Sequence, residues 1–499
     1  MKIKKRAGQK KLIGVGLDSA TLDIILPLVK SGILPTFKKL FEQGAYGVLE
    51  STIPPITPCA WETAMTGVNP GRHNIFDFFS YLPNYQVEVL TSKDRAALAV
   101  WDYLGKAGKK SIVFNYPMGY PPPEIEGIFV SGMNTPGVNT DFTYPKEIKK
   151  KILKKIPDYK IDVLGDHIIN GRHDLYFSEV KHLTKTHFEA ASYLLKKYPW
   201  DLALIFFTEL DRVHHYFFHD QNRIKEYYQL LDALLKELIL SHQKATFLIF
   251  SDHGTAELKK DVFIEEYLVD WGLLKCKKTV KGLFSQIIPT VVWDGRRLVY
   301  RLKIAEAIVK LLPANVFRLL IKLSSSREEN IGSIDWAKTK IYFLVPSSQG
   351  LRVNLKGRED QGIVEKEEYD LVRNYVTEKL MSLRDPSNGR KVIKNVYKKE
   401  NIYDGPYIEN AQDLIIETES MYHLQKGIGR GKFGLASEAG VEKSAEHSRE
   451  GMFILYNEKV RPGKKEKLQL VDIVAYMLYI LNLQIPKSIE GRINRKVLR

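Results

Sequence analysis

The chain has 499 residues, 44% of them hydrophobic and 27% charged, a mix that excludes wholesale disorder and a fibrous architecture. Its formal charge of +16 favours anionic ligands in general, whether nucleotides, nucleic acid or acidic lipid, although lysines that only solvate the surface would give the same total. The two cysteines, Cys59 and Cys276, exclude a disulfide framework and fit a reducing compartment.

In chain order, the amino terminus begins with a basic run, yet its apolar stretch LIGVGL stops at Asp18, too short for the hydrophobic region of a secretion signal. A cytoplasmic location is therefore expected. No uninterrupted apolar run reaches the roughly 18 residues of a membrane-spanning helix, which leaves only peripheral membrane contact. Short apolar runs then recur, each bounded by polar residues: LIGVGLD at Asp18, SIVFNYP, GIFVSG, LALIFFTELD at Asp211, ATFLIFSDHG at Asp252, and GMFILYN after His447. They read as buried strands. Between them, SEVKHLTKTHFEAASYLLKKY and RIKEYYQLLDALLKELILSHQ space their apolar residues as helices do. Such alternation predicts an α/β fold, a mostly parallel central sheet with helices on both faces, in which ligands collect beyond the carboxyl ends of the strands.

The alternation breaks at 273–340, where RRLVYRLKIAEAIVKLLPANVFRLLIKLSSS predicts a basic, amphipathic helical insertion. Such helices commonly pack on their own domain, and the same pattern also suits a membrane surface. From 341 to 435, YFLV, LRVNL and DLIIET read as strands and EEYDLVRNYVTEKLMSL as a helix, which predicts a small α+β lid. The chain then returns through GMFILYN and the helix VDIVAYMLYILNL, so that 1–272 and 436–499 form the main domain. There is no internal repeat or low-complexity tract.

Asp18, Asp211 and Asp252 each stand where an apolar run stops, and histidines accompany them at His214, His215 and His253, with His447 later. Carboxylate oxygen and imidazole nitrogen held rigidly at strand ends are what a divalent metal requires. An isolated aspartate after a strand is more commonly a turn or helix cap. SDHG is more specific, because two ligand types leave one buried strand together.

Residues 54–79, PPITPCAWETAMTGVNPGRHNIFDFF, carry a more particular pattern: Thr57, then the pair Thr66 and Gly67, then Pro70 and His73. This stretch resembles the nucleophile segment of the type I phosphodiesterase and nucleotide pyrophosphatase family, in the alkaline phosphatase superfamily, where a helix-starting threonine precedes a Thr-Gly pair and a Pro-x-x-His element. The local chemistry agrees. Pro54 and Pro55 fix an extended entry, and Thr57 before Pro58 reads as a helix N-cap, where a hydroxyl faces the end that attracts anions.

The resemblance extends over most of the chain. Asp18 in GVGLDSA, Asp211 and His215 in DRVHH, Asp252 and His253 in SDHG, and His447 in EHSREGMFIL match the family's metal-binding positions; its Asp-x-x-x-His spacing selects His215 over His214. It implies an alkaline phosphatase-like fold holding two divalent metal ions. Asp18, Thr57, Asp252 and His253 would bind one, and Asp211, His215 and His447 the other. Zinc is the expected metal, and manganese suits the same donors. Thr57 would be the nucleophile, through a phosphothreonine intermediate, in hydrolysis of a small phosphate ester or nucleotide, with no obligate nucleic-acid partner.

The sequence departs from the family where many members have an asparagine that touches a phosphate oxygen: Phe78 stands there, after Asp77. Asn74, Asn115 and Asn134 are the substitutes, and His73 reads as structural. Cys59 lacks the proline and arginine that follow the cysteine of sulfatases. Two other functions fit parts of the pattern: a phosphomonoesterase or phosphoryl transferase on the same fold, and a basic nucleic-acid or membrane-surface binding protein with a structural metal site. Nothing in the sequence sets the oligomeric state.

Overall fold

Strand residues alternate between two separate apolar cores, which is why the strands read as continuous hydrophobic runs. In this computed structural model, which describes residues 10–163, 165–277, 334–438, 441–457 and 460–498, the central sheet comprises β1 (Leu12–Leu17), β2 (Ala45–Glu50), β3 (Ser111–Tyr116), β4 (Gly127–Ser131), β5 (Thr143–Tyr144), β6 (Leu202–Phe207), β7 (Thr246–Phe250), β8 (Glu450–Tyr456) and β9 (Lys464–Gln469). Their order is β9-β2-β8-β7-β1-β6-β3-β4-β5. The run from β7 through β1, β6 and β3 to β4 is parallel, while β8 is antiparallel to both its neighbours.

On one face Val15, Ile205, Ile249 and Phe114 pack against the helices His173–Lys197 and Gln221–Ser241; on the other, Leu204, Phe206, Leu248 and Val113 pack against Thr57–Thr66 and Asp472–Ile480. The predicted mostly parallel sheet, covered on both faces, is thus the observed one. Helix Pro35–Gln43 shows how the layers are pinned. Leu34, at its N-cap, has no capping side chain, and the buried Asp232 of helix Gln221–Ser241 accepts the Thr36 and Phe37 amides, each at 2.9 Å.

The strands Ile341–Tyr342, Gly350–Val353, Leu414–Thr418 and Ile393–Lys398 form a smaller antiparallel sheet against helix Tyr369–Met381, which buries Val372, Val376 and Leu380. Their core also takes in Val262, Ile264 and Leu268. Strand Gly254–Phe263 makes the connection: it leaves β7 paired with Ala445–Ser448 and reaches the smaller core paired with Met421–Gln425 and Phe433–Leu435. The basic helical stretch expected in 273–340 lies for the most part outside the described residues. Its described ends meet, with Asp335 N donating to Lys275 O at 2.7 Å. No helix among the described residues is long and apolar enough to cross a membrane.

Asp232→Ala should lower stability by about 2 kcal/mol, since two buried amides lose their acceptor; the urea midpoint would fall, with the slope unchanged.

Candidate active site

Three neighbouring parallel strands end at one level. Leu17 of β1 lies opposite Phe207 of β6, and Gly16 opposite Phe250 of β7. The chain beyond those ends therefore delivers Asp18, Asp252 and, in the first turn of helix Glu209–Phe217, Asp211 to a common region, with His215 one turn further on. His447 comes from the strand Ala445–Ser448, paired opposite Thr255. Thr57 comes from the helix on the second face of the sheet.

Helix Thr57–Thr66 differs from the sequence reading in one respect. Ile56 is the N-cap and Thr57 the first helical residue, with Pro58 beside it, so the Thr57 hydroxyl makes no capping bond. Its Oγ1 lies 3.3 Å from His253 Nε2. The helix ends at Gly67, whose φ of 70° is left-handed. Trp61 settles its depth: the indole packs edge-on against Phe206 and Phe250 and donates from Nε1 to Asp18 Oδ2 at 3.2 Å. Gly16 makes room, because a Cβ there would stand 2.6 Å from the indole.

The three histidines share one orientation. His215 Nδ1 donates to Ala445 O at 2.9 Å, His253 Nδ1 to Gly254 O at 3.0 Å, and His447 Nδ1 to Pro55 O at 3.0 Å. A carbonyl only accepts, so each ring carries a proton on Nδ1 and turns Nε2 inward, the orientation that metal-binding histidines need. His447 Nε2 is 3.3 Å from His215 Nε2 and 3.4 Å from Asp211 Oδ1, and the His253 and His447 rings stack at 3.8 Å. Among the described residues, Asp211, His215 and His447 form one group able to hold an ion, and Asp18, Asp211 and His253 another, with donor atoms within 4.8 Å of one another. Asp211 belongs to both.

Burial, then Asp252 and Asp211, pushes the Asp18 carboxyl well above its ordinary range, and burial with Asp211 does the same to Asp252. Burial also acts to raise Asp211, but His215 and His447 outweigh it and hold that group well below the usual value. Burial and then His447 drive His253 down, so it is neutral, and its contacts with Asp252 at 3.2 Å and Asp18 at 3.5 Å are not ion pairs. Asp18 Oδ1, Asp211 Oδ1 and Asp252 Oδ2 are buried without a hydrogen-bond donor. Buried carboxylate oxygens without donors, gathered beside inward-turned imidazole nitrogens, fit a bound cation.

The remaining sequence candidates lie elsewhere. His214 is buried between Ser19 Oγ at 2.7 Å and Tyr228 OH at 3.2 Å, and burial pushes it down to about 3. His73 accepts from Ile75 N and bonds Thr63 Oγ1, a structural role. Asn115 donates to Phe206 O, Asn74 joins Asp94 and Asn410, and Asn134 donates to Met118 Sδ. Phe78 is half-buried, and Asp77 before it is buried, accepting from Phe78 N and from Ser347 of the smaller module. Sequence reasoning missed Trp61 and the Ser19 amide, which donates to Asp252 Oδ1 at 3.2 Å. An indole within an apolar run and a backbone amide carry no sequence signal.

The doubly covered, mostly parallel sheet, with Asp and His donors gathered at its strand ends beside a helix-borne hydroxyl, is an alkaline phosphatase-like fold. The family model for type I phosphodiesterase / nucleotide pyrophosphatase matches residues 12–448, and the chain belongs to that family and is a phosphoric ester hydrolase. Murine ectonucleotide pyrophosphatase / phosphodiesterase 5 has a similar fold at 12% identity and a TM-score of 0.55, covering 98% of this chain and 100% of its own. Phosphonoacetate hydrolase from Sinorhizobium meliloti 1021, in complex with phosphonoformate, gives 15% identity and 0.59, covering 95% and 96%. No curated protein matches significantly.

Asp211→Asn should abolish tight binding of zinc or manganese at the Asp211, His215 and His447 group, read as bound metal per chain by chelator competition. Asp77 supplies a pH test. Burial raises its carboxyl to about 7, above its unfolded value. Its contribution to stability is therefore full below about pH 4 and falls by about 1.4 kcal/mol per pH unit as the pH rises towards 7. Asp77→Asn should flatten that part of a stability-against-pH curve.

Proposed function

We propose that the chain is a two-metal phosphodiesterase of nucleotide pyrophosphatase type with Thr57 as its nucleophile. The observation that carries this reading is the uncapped Thr57 hydroxyl, 3.3 Å from His253 Nε2, at the edge of a cluster of inward-facing imidazoles and unpartnered carboxylates. Asp18, Thr57, Asp252 and His253 would hold one divalent ion and Asp211, His215 and His447 the other, with zinc best suited and manganese acceptable. When bound, the ions supply Lewis acidity and charge neutralisation for the entering and leaving oxygens.

Thr57 Oγ1 gives up its proton to solvent and forms a bond to phosphorus as the bond to the leaving alcohol or nucleotide oxygen breaks; that oxygen keeps the electron pair and takes a proton from solvent, leaving a phosphothreonine. Water then loses a proton to solvent and forms a bond to the same phosphorus while the bond to Oγ1 breaks, its electron pair staying on Oγ1, which regains a proton from solvent. The positive N-terminal end of helix Thr57–Thr66 would favour the negative charge of a phosphoryl group on Thr57. Residues 1–272 and 436–499 make up the catalytic domain in this reading, and 341–435 its lid, which meets that domain at the Ser347–Asp77 and His423–Glu446 contacts. A small phosphate ester or nucleotide is the substrate class. AMP and phosphonoacetate, named with solved structures of similar fold, belong in the substrate panel.

Metal-restored protein should hydrolyse bis-p-nitrophenyl phosphate faster than p-nitrophenyl phosphate, and Thr57→Ala should lose at least about 1000-fold in kcat. Full activity in Thr57→Ala would end the nucleophile assignment, and a monoester preference would favour the phosphomonoesterase reading. Absent turnover with salt-sensitive binding of nucleic acid or anionic vesicles would favour a binding protein.

A further inference from the structure

Segment 51–56, STIPPI, leads from the end of β2 to Thr57 outside any strand. Pro54 and Pro55 take two N–H groups out of it, so its carbonyls do most to set its place. Pro54 O is taken locally, by Thr52 Oγ1 at 2.7 Å and Ile56 N at 3.0 Å. The carbonyls on either side of it are taken by side chains from distant parts of the chain. Pro55 O accepts His447 Nδ1 at 3.0 Å, the bond that orients that ring, and Ile53 O accepts the hydroxyl of Tyr403, in the smaller module, at 2.5 Å. One hydrogen bond thus ties the smaller module to a segment that carries Thr57 at its end and the anchor of His447 beside it.

Tyr403 is itself held firmly. It is 6% exposed, and its ring packs edge-on against Phe76 at 5.1 Å. Burial pushes its phenol well above the ordinary range, so it remains a donor. The residues after it grip the loop that follows helix Thr57–Thr66: Asp404 N donates to Asn69 Oδ1 at 3.1 Å, Arg72 pairs with the Asp404 carboxylate at 2.6 Å, and Tyr407 N donates to Gly71 O at 3.0 Å. Gly71 permits that approach, because a Cβ there would stand 2.7 Å from Asp404 O. The smaller module therefore holds the nucleophile's helix from both sides, before it through Ile53 and after it through Asn69 and Gly71. We propose that Tyr403 is a positioning residue for the reaction: its hydroxyl, held against Ile53 O, fixes segment 51–56 so that Thr57 Oγ1 and the His447 ring keep their places. The role rests on the reading of Thr57 as nucleophile, and it acts through the backbone.

Tyr403→Phe keeps the ring and removes the donor. With bis-p-nitrophenyl phosphate, the metal-loaded variant should lose about 10-fold in kcat with KM within about twofold of the parent, because a displaced nucleophile slows the step and leaves substrate binding intact. Amide hydrogen exchange in the 51–57 peptide should be at least about 10-fold faster. Tyr397→Phe is the control: it removes another hydroxyl beside the same small core, one that donates to Glu417 Oε2 at 2.9 Å, and should leave kcat and that exchange unaltered. An equal fall in kcat in both variants would overturn the proposal, as would parental kcat in Tyr403→Phe or a raised KM alone. If Tyr403→Phe does not fold, Phe76→Leu, which keeps the hydroxyl and loosens the seat of its ring, should lose about threefold in kcat with faster exchange in 51–57, and parental values would overturn the proposal. A Thr57→Ala protein as active as the parent would end the nucleophile reading, whereas equal exchange in the Tyr403→Phe and Tyr397→Phe proteins would end the positioning role by itself.

Discussion

Mutual repulsion among Asp18, Asp211 and Asp252 is the constraint on which the site depends. The in-register parallel strands β7, β1 and β6 end together, so three carboxylates leave the sheet within one buried space. Each alone would be an ordinary turn residue. Together they leave three oxygens without donors, an arrangement that persists only because the rest of the fold holds it.

That support comes from two apolar cores, one on each face of the sheet, filled by alternate residues of the same strands. Trp61 joins the support to the site, because its ring belongs to the second core while its N–H belongs to Asp18. The backbone carbonyls of Pro55, Gly254 and Ala445 do the same for the histidines by fixing which nitrogen bears the proton. The orientation of these rings is therefore built from main chain on three separate elements.

Strand Gly254–Phe263 ties this centre to the smaller module. One end pairs with the strand carrying His447 and the other with Met421–Gln425, which carries His423. Glu446 lies between these two histidines.

The amino-acid sequence by itself determined the strands, the helices and which residues end each strand, because buried parallel strands need unbroken apolar runs and a polar residue must mark where burial stops. It also carried Thr57, through the order of threonine, Thr-Gly pair and Pro-x-x-His, and the fourfold spacing that put His215 on the face of Asp211. Only the tertiary structure decided that Thr57 is the first helical residue and not the cap, that His214 turns away to Ser19 and Tyr228, and that Asn74, Asn115 and Asn134 are engaged elsewhere. Trp61 likewise emerged only from a contact between segments distant in sequence. The physical reason is that periodicity and local propensity fix where an element begins and which face it buries, whereas the direction of a polar side chain depends on donors and acceptors that folding brings from elsewhere in the chain.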